Sequence, residues 1–566
     1  LHYWWTRKPL IASRAAVLGA LLPSDFDIQE FKRLLGLEYV SVSGKRAYHH
    51  SLSEERIAQL KQEYRKVWGE ESPLILDPFA GGGSIPLEAL RVGANVIAND
   101  YNPVANLILK ATLEYPPKYG ESLYKDVKKG LDWIFNETKN ELEGYYPKHN
   151  GKDVTAYIWA WGVKCPECGF ENPLVGQWWL CRKPGKNIFL DYDKPTMTDS
   201  RLKYTIREGT DPPSGNCSGG KAVCIRCGAS ISNELVQKEI KELQKEHLLA
   251  VVVQERRGKG YELPNDDDFV AMGKTNDIVQ ENIEKWIKDG IVPDNDIPQD
   301  TRGSLSVRLY LPKWRFLLNS RQLLLFSIIE RKIFDYAELL SGKENEERLL
   351  AILTYLSFVL GKHIDYNCRS TTWHRANEQI AHVLTFRGVG MTWDHAEVNP
   401  FVKGSGTLPG LMGDISNGLN FAEHLLRSKN NITISSKSVT EIETPTKLII
   451  SDPPYFDDVR YAEFSEFFYA WERIVLKNLK DPGDIPSKEE MSVGGWGRTQ
   501  EFFSKLFLIS AKKLNNILDD KGLLVLFFAH SSVDAWDFVI NALRKSGFRI
   551  TATWPIHTES TTNPLA

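Results

Sequence analysis

Two short stretches carry residues that can do chemistry. The first is Asp452-Pro453-Pro454-Tyr455, directly after the apolar run 447–450. An amine conjugated to a ring is a poor nucleophile, because its lone pair is spread into that ring. The Asp452 carboxylate and the Pro453 carbonyl can accept both of its hydrogens, draw the nitrogen towards tetrahedral geometry and aim it. Pro453-Pro454 stiffens the loop so that the acceptors stand pre-placed, and Tyr455 offers a face on which a planar base can stack. These four residues are the catalytic candidates. The second stretch is Asp77-Pro78-Phe79-Ala80-Gly81-Gly82-Gly83, between an apolar strand at 74–76 and a helix that starts at Ser84. A strand, a glycine turn and a helix make a cradle for a nucleotide-like ligand. The glycines admit close backbone approach, and the helix start offers free N–H groups to a carboxylate. It is neither the Gly-x-Gly-x-x-Gly of a dinucleotide turn nor the Gly-Lys-Ser/Thr of a phosphate loop.

The elements that must position these groups alternate as in a parallel sheet. A second strand, 95–98, ends in Asn99-Asp100-Tyr101-Asn102. An acidic residue there is the usual partner of ribose hydroxyls, a role assigned to Asp100 with Tyr101 and Asn102 beside it. Further strands are expected at 431–434, 447–450, 522–529 and 548–554. The run 522–529 is continuously apolar, as in a buried central strand. Helices are expected at 10–22, 51–68, 104–113, 459–476, 502–518 and 534–546, with a capping box at Ser51 or Ser53. The glycine-bearing loop 482–499 is expected to be a mobile segment beside the site. Thr6, Lys8 and Pro9, just before the first helix, place a cation and its neighbours where they can meet a ligand carboxylate.

From 116 to 430 the parallel-sheet pattern lapses, so this stretch reads as an insertion between the second and third strands. Its first part is helical at 121–145, β-rich at 154–232 and helical again at 234–254. The β-rich part carries Cys165-x2-Cys168 and Cys224-x2-Cys227, each followed by glycine. Two such knuckles supply four thiolates to one tetrahedral Zn²⁺, a structural zinc ribbon over 165–227. Cys181 and Cys217 lack neighbouring knuckles. Residues 258–303 read as an acidic, solvated linker around Asn265-Asp266-Asp267-Asp268. After helices at 314–340 and 348–361, the segment 362–401 interleaves Arg369, Thr372, Trp373, His374, Arg375, Arg387, Trp393 and His395. That mixture suits a nucleic-acid-facing surface with stacking platforms. The expected domains are 1–115, 116–257, 258–430 and 431–566.

Composition sets bounds. A chain of 566 residues with 42% hydrophobic and 25% charged residues is an ordinary globular one. No run of about 18 apolar residues marks a membrane span, so no membrane partner is expected. Paired Cys-x-x-Cys motifs among seven cysteines point to metal in a reducing compartment, with cytoplasm as the default. A net charge of −3 does not advertise nucleic acid, yet a local basic face can coexist with it. Leu1 and the end at 561–566 do not look like natural termini, and a final strand is expected to be missing.

The motif Asp-Pro-Phe-x-Gly-x-Gly at Asp77–Gly83 resembles the first motif of amino-group methyltransferases, where it holds S-adenosylmethionine. With HYWWTRKPLIASRAAVLGALLP, SDPPYFDDVRYAEFSEFFYAWER and FFAHSSVDAWDFVINALRKSGFRITATWPIHTES, the chain resembles a family of adenine-specific DNA methylases. Those proteins carry a zinc ribbon and an amino-terminal domain of unknown function. The resemblance implies a Rossmann-like, S-adenosylmethionine-dependent α/β methyltransferase sheet with a large α+β insertion. It implies transfer to the N6 amine of adenine in DNA, with restriction or phage-defence subunits as possible partners. Two alternatives stand beside it. One is an RNA methyltransferase acting on guanine N2 or adenine N6. The other is a non-catalytic nucleic-acid-binding subunit. Methylation at cytosine carbon 5 is not expected, because the chain contains no Pro-Cys nucleophile.

Overall fold

The structure is a computed structural model. It describes residues 1–556 apart from 300, 302–303, 387, 427–429, 458 and 478, and omits the side chains of 385 and 386. The chain divides into two compact units. One comprises Leu1–Asp126, Ser416–Ser465 and the chain from Pro482 onward; the other comprises Val127–Ile415 and Glu466–Asp481.

The first unit is built on a five-stranded parallel sheet. Its order is Ile432–Ser435, Asn95–Asn99, Leu74–Asp77, Thr446–Ser451, Leu518–Leu526. The two middle strands are apolar because helices cover both faces, and Ile75, Leu76, Leu448, Ile449 and Ile450 are fully buried. The chain runs outward from Leu74–Asp77 on one side, then returns to lay Thr446–Ser451 on the other. The crevice at such a reversal, outside the strand ends, is where open α/β sheets bind ligands.

Two helices hold the starting strand. Leu10–Leu21 packs on Ser84–Arg91, and both feed one apolar core with Val17, Leu21, Ile85 and Leu90. Inside this contact lies a buried ion triad. Arg14 Nε donates to Glu88 Oε2 at 2.6 Å and Arg91 Nη1 to Glu88 Oε1 at 2.6 Å. Arg14 Nη1 also donates to the Leu34 and His50 carbonyls, and Arg91 Nη2 to those of Tyr48 and His50.

The second unit contains an antiparallel sheet in the order Lys259–Glu262, Glu246–Gln254, Val154–Lys164, Asp394–Val398. Glu171–Leu174 also pairs with Val154–Lys164. The expected boundary at 257 therefore has no counterpart: Asp394–Val398 pairs directly with Val154–Lys164, so the two expected domains share a sheet. The helix Glu346–Tyr366 is long and apolar enough to cross a membrane, but 83% of its apolar window is buried in the protein, as in a core helix.

Several expectations are corrected. Residues 246–254 form a central strand, not helix, because β-branched and aliphatic residues fill a position with strands on both sides. The acidic run at 265–268 is a helix start, not a linker. Asn265 and Asp268 form a capping box for Asp266–Lys288, and carboxylates there face the positive end of the helix dipole. Ser53 caps Glu54–Trp68 through the Arg56 amide, but the third helical position is Arg56, so no capping box closes. The run 522–529 belongs to Leu518–Leu526, which stands at the sheet edge and is half-buried, because it pairs with Thr446–Ser451 alone among the described residues. Residues 548–554, expected as a strand, form none and pair with no strand among the described residues. In 362–401, Arg369, Trp373 and His395 are buried. Arg369 and His395 meet Glu246, and Arg375 meets Asp394, so most of this segment is an internal hydrogen-bonded layer. Only the turn around exposed His374 faces out as expected, and Arg387 lies outside the described residues.

Removing Glu88 leaves two buried guanidinium groups without a counter-charge. Glu88→Ala is expected to lower the unfolding free energy by about 3–5 kcal/mol. Urea titration followed by circular dichroism checks this.

Candidate active site

The strand Leu74–Asp77 delivers Asp77, 1% exposed, to the start of the glycine turn. Asp77 Oδ1 accepts the Phe79 amide at 3.2 Å and the Ser451 hydroxyl at 2.6 Å. Ser451 directly precedes Asp452, so one carboxyl ties both motif-bearing loops together. Burial pushes the Asp77 carboxyl up to about 8; these two hydrogen bonds oppose the shift, and the Asp452 and Asp100 charges add to it.

Gly81 and Gly83 have φ of +50° and +80°, in the left-handed region that favours glycine. A Cβ on Gly81 would lie 2.6 Å from Trp4 Nε1. Trp4 thus lies against the turn, and it stacks on Tyr461 with ring centroids 5.5 Å apart.

Asp100 closes the other side of the turn. Its Oδ2 accepts the Gly81 amide at 2.8 Å and its Oδ1 the Asn102 amide at 2.9 Å, which leaves further lone pairs on both oxygens. Burial pushes its carboxyl up to about 6, opposed by those two amides. Asn99, fully buried beside it, is a residue that sequence reasoning missed. Its side chain donates to the Pro78 and Lys437 carbonyls at 3.1 and 3.0 Å and accepts the Lys437 amide at 3.2 Å. A polar amide at a strand end, just before the acidic residue, was the only signal for it.

Asp452 follows the strand Thr446–Ser451. Its Oδ1 accepts the Tyr455 hydroxyl and lies 3.3 Å from Lys8 Nζ. Lys8 also donates to the Tyr455 hydroxyl. Lys8, expected at a ligand carboxylate, is therefore placed against this chain's own Asp452. Tyr455, expected to stack on a base, turns its hydroxyl inward with its ring edge-on to Phe528. Burial raises the Asp452 carboxyl above its ordinary value, against the pull of Lys8 and Tyr455.

One cavity joins these groups. Thr6, Lys8, Asp77, Pro78, Phe79, Ala80, Gly81 and Gly82 line it. So do Asp100, Tyr101, Asn102, Asp452 and Pro454. Pro9, Gly83, Pro453 and Tyr455 are not part of the lining: Pro9 and Gly83 precede the helices that begin at Leu10 and Ser84. Further walls come from Lys437, Ser438, Glu489 and Glu490. Glu490 accepts the Tyr461 and Ala462 amides at 2.8 and 3.2 Å, and Tyr101 donates to Glu489 at 2.7 Å, so the loop after Pro482 is anchored to the cavity.

In the second unit, Cys165, Cys168, Cys224 and Cys227 come together, with all four sulfurs within 4.8 Å of one another. Cys165–Cys227 and Cys168–Cys224 are each 3.6 Å apart. Four sulfurs about 2.3 Å from one centre would stand ~3.8 Å apart, so the set suits a tetrahedral metal. Both knuckles have the same turn: the Gly169 and Gly228 amides donate back to the Cys165 and Cys224 carbonyls. Cys181 and Cys217 are buried outside the group.

The raised Asp77 and Asp100 carboxyls set a sign for pH dependence. The folded chain holds protons at about 8 and about 6 that an unfolded carboxyl releases near 3.8, so these groups cost stability as pH rises through that window. The thermal midpoint is expected to fall by a few degrees from about pH 5 to about pH 8, and to fall less in Asp77→Asn. Differential scanning fluorimetry across pH measures both.

Known proteins match parts of this chain. The family described as D12 class N6 adenine-specific DNA methyltransferase matches residues 57–166, which contain the glycine turn and Asp100. A family described as a protein of unknown function (DUF1156) matches residues 1–35, which contain Trp4, Thr6 and Lys8. The type II methyltransferase M.BsoBI of Geobacillus stearothermophilus is 23% identical over 245 residues, 41% of this chain and 46% of that relative. The chain thus spans about half the length of the curated relative it matches. No solved structure matches. Over the segment that builds the glycine turn and places Asp100, the chain is similar to the D12 class N6 adenine-specific DNA methyltransferases.

Proposed function

We propose that this chain is an S-adenosylmethionine-dependent methyltransferase acting on the N6 amine of adenine in DNA. The observation that carries the reading is the shared cavity of the glycine turn and Asp452, at the ends of two adjacent parallel strands. The residues present fit the cofactor: a glycine turn that leaves room for a ligand, and a carboxylate with free lone pairs where ribose hydroxyls would lie. Bound S-adenosylmethionine would supply an electrophilic sulfonium methyl. Asp100 would hold its ribose, the turn at Gly81 and Gly82 its backbone side, and Thr6 the rim.

The chain's own part is aim and proton handling. Asp452 would accept one hydrogen of the target amine, and the Pro453 carbonyl, which does not line the cavity as it stands, would turn towards it to accept the other, so that the lone pair is directed at the methyl. Methyl transfer to that nitrogen would leave it with one proton to shed. Asp452, raised by burial, is suited to receive that proton. Tyr455 and Lys8 hold Asp452 Oδ1, so the amine would meet Oδ2, and release of the Tyr455 hydroxyl would free its ring to stack on the base. Adenine must be flipped out of its duplex to reach such a cavity.

Zinc in the four-cysteine cluster belongs to the same reading, as a ribbon that ties the turn after Lys164 to the one after Val223. Free thiols suit a reducing compartment such as the cytoplasm. The type II relative points to a modification role beside restriction or defence subunits.

Methyl transfer from labelled S-adenosylmethionine to unmodified DNA and to total RNA, with products resolved by base, tests the function. Label in N6-methyladenine from DNA, reduced at least ~100-fold by Asp452→Ala, is the expected result. Label in N4-methylcytosine, or in RNA alone, would reassign the substrate. No transfer with the cofactor bound would favour a non-catalytic subunit. Elemental analysis is expected to find about one zinc per chain, lost in Cys168→Ser together with a lower thermal midpoint.

A further inference from the structure

Three β-hairpin turns of the second unit meet at one place. The first joins Trp179–Lys183 to Lys186–Tyr192, the second Glu246–Gln254 to Lys259–Glu262, and the third Thr372–His374 to Gln379–Ala381. A single buried carboxylate draws them together. Glu378, 6% exposed and with φ of +51°, sits in the third turn. It accepts Lys183 and Lys186 from the first hairpin, the latter at 2.6 Å, and the Tyr261 hydroxyl of the second at 3.1 Å. Lys186 also donates to the Lys259 carbonyl, and the Arg182 amide donates to the Arg375 carbonyl at 3.2 Å. The turns are therefore fixed relative to one another, and their loose ends are tied inward.

What remains outside is strongly basic. Arg256 and Arg257 occupy the tip of the second hairpin, exposed and without an ion pair among the described residues. Arg182 is exposed on the first, its guanidinium 5.5 Å from the Trp179 ring. The two carboxylates in these turns are already answered: Glu378 by its lysines, and Glu255 by Lys152 at 2.8 Å. In a chain whose formal net charge is −3, three exposed guanidinium groups on a pre-ordered support are a concentrated exception.

Guanidinium groups on fixed turns, with no acceptor of their own, match the phosphodiester oxygens of a nucleic-acid backbone. We propose that these joined hairpin tips form a phosphate-contact surface that binds duplex DNA without reading its sequence. The proposal rests on the reading of DNA as the substrate. Such contacts position a protein and carry no base information. The segment 362–401, expected from its sequence to face nucleic acid, contributes here only its turn: the rest is the internal support.

The test is duplex DNA binding by fluorescence anisotropy over a range of salt, with the full chain. The triple variant Arg182→Ala/Arg256→Ala/Arg257→Ala is expected to bind at least ~10-fold more weakly at about 0.1 M salt. Its plot of log affinity against log salt should be shallower by about 2–3, at roughly 0.9 for each phosphate no longer neutralised. The triple lysine variant, which keeps the charges, is expected to retain most of the binding. Thermal midpoint and S-adenosylmethionine affinity should match the parent chain in both variants. A triple alanine variant with the parent affinity and slope overturns the proposal, as does equal weakening in the lysine variant. Arginine-dependent binding confined to RNA overturns the assignment to duplex DNA. Parent chain that fails to bind DNA at low salt overturns both this surface and the substrate reading. DNA binding through these arginines with no methyl transfer overturns the activity alone.

Discussion

The hydrogen bond from Ser451 to Asp77, 2.6 Å long and fully buried, joins residues 374 positions apart in the chain. Everything chemical in the first unit depends on it. Asp77 begins the glycine turn and Ser451 immediately precedes Asp452, so this one bond ties the glycine turn to the loop that carries the Asp452 carboxylate. It works because the strands beneath are adjacent and parallel, with Ile75 opposite Leu448 and Leu76 opposite Ile449. A parallel pair needs a long crossover, and here the crossover contains the whole insertion. The insertion can be large without cost to the site, since loop-closure entropy grows only slowly with length.

Around that bond, buried polar side chains do the positioning that apolar packing cannot. Asn99 gathers the loops after three strands, and Asp100 gathers the glycine turn and the start of the next helix. Each is held by backbone partners, which fixes direction as well as distance. The second unit follows the same rule with charges: Arg321 grips Glu397 and Arg369 grips Glu246, each by two hydrogen bonds, with both glutamates on strands of the sheet that carries the Glu246–Glu262 hairpin. Such pairs contribute little net stability relative to apolar packing, but breaking one is costly, so they define a single arrangement.

The arrangement at Asp452 has a consequence for how the site functions. Its Oδ1 is held by the chain's own Lys8 and Tyr455, which fixes the direction of the carboxylate at the cavity wall. The carboxylate is oriented by internal partners of matching chemistry, so its direction is set within the chain itself.

Local chemistry was legible in the sequence. Most of the glycine turn, Asp452, Pro454 and the acidic end of the second strand line one cavity, and the two cysteine knuckles come together. They depend on turn conformations and short spacings that a few consecutive residues encode. Strand and helix types followed for segments with a clear period. What only the tertiary structure decided was who stands opposite whom. Lys8 meets Asp452, Trp4 covers Gly81, and Leu518–Leu526 lies at an edge although its composition suits a centre. Residues 362–401 are mostly interior, because a segment mixing arginine, tryptophan and histidine serves equally well as a wet surface or as a buried layer once Glu246 and Asp394 supply partners. A residue's own period carries no record of a partner hundreds of positions away, and burial of a charge is settled by that partner.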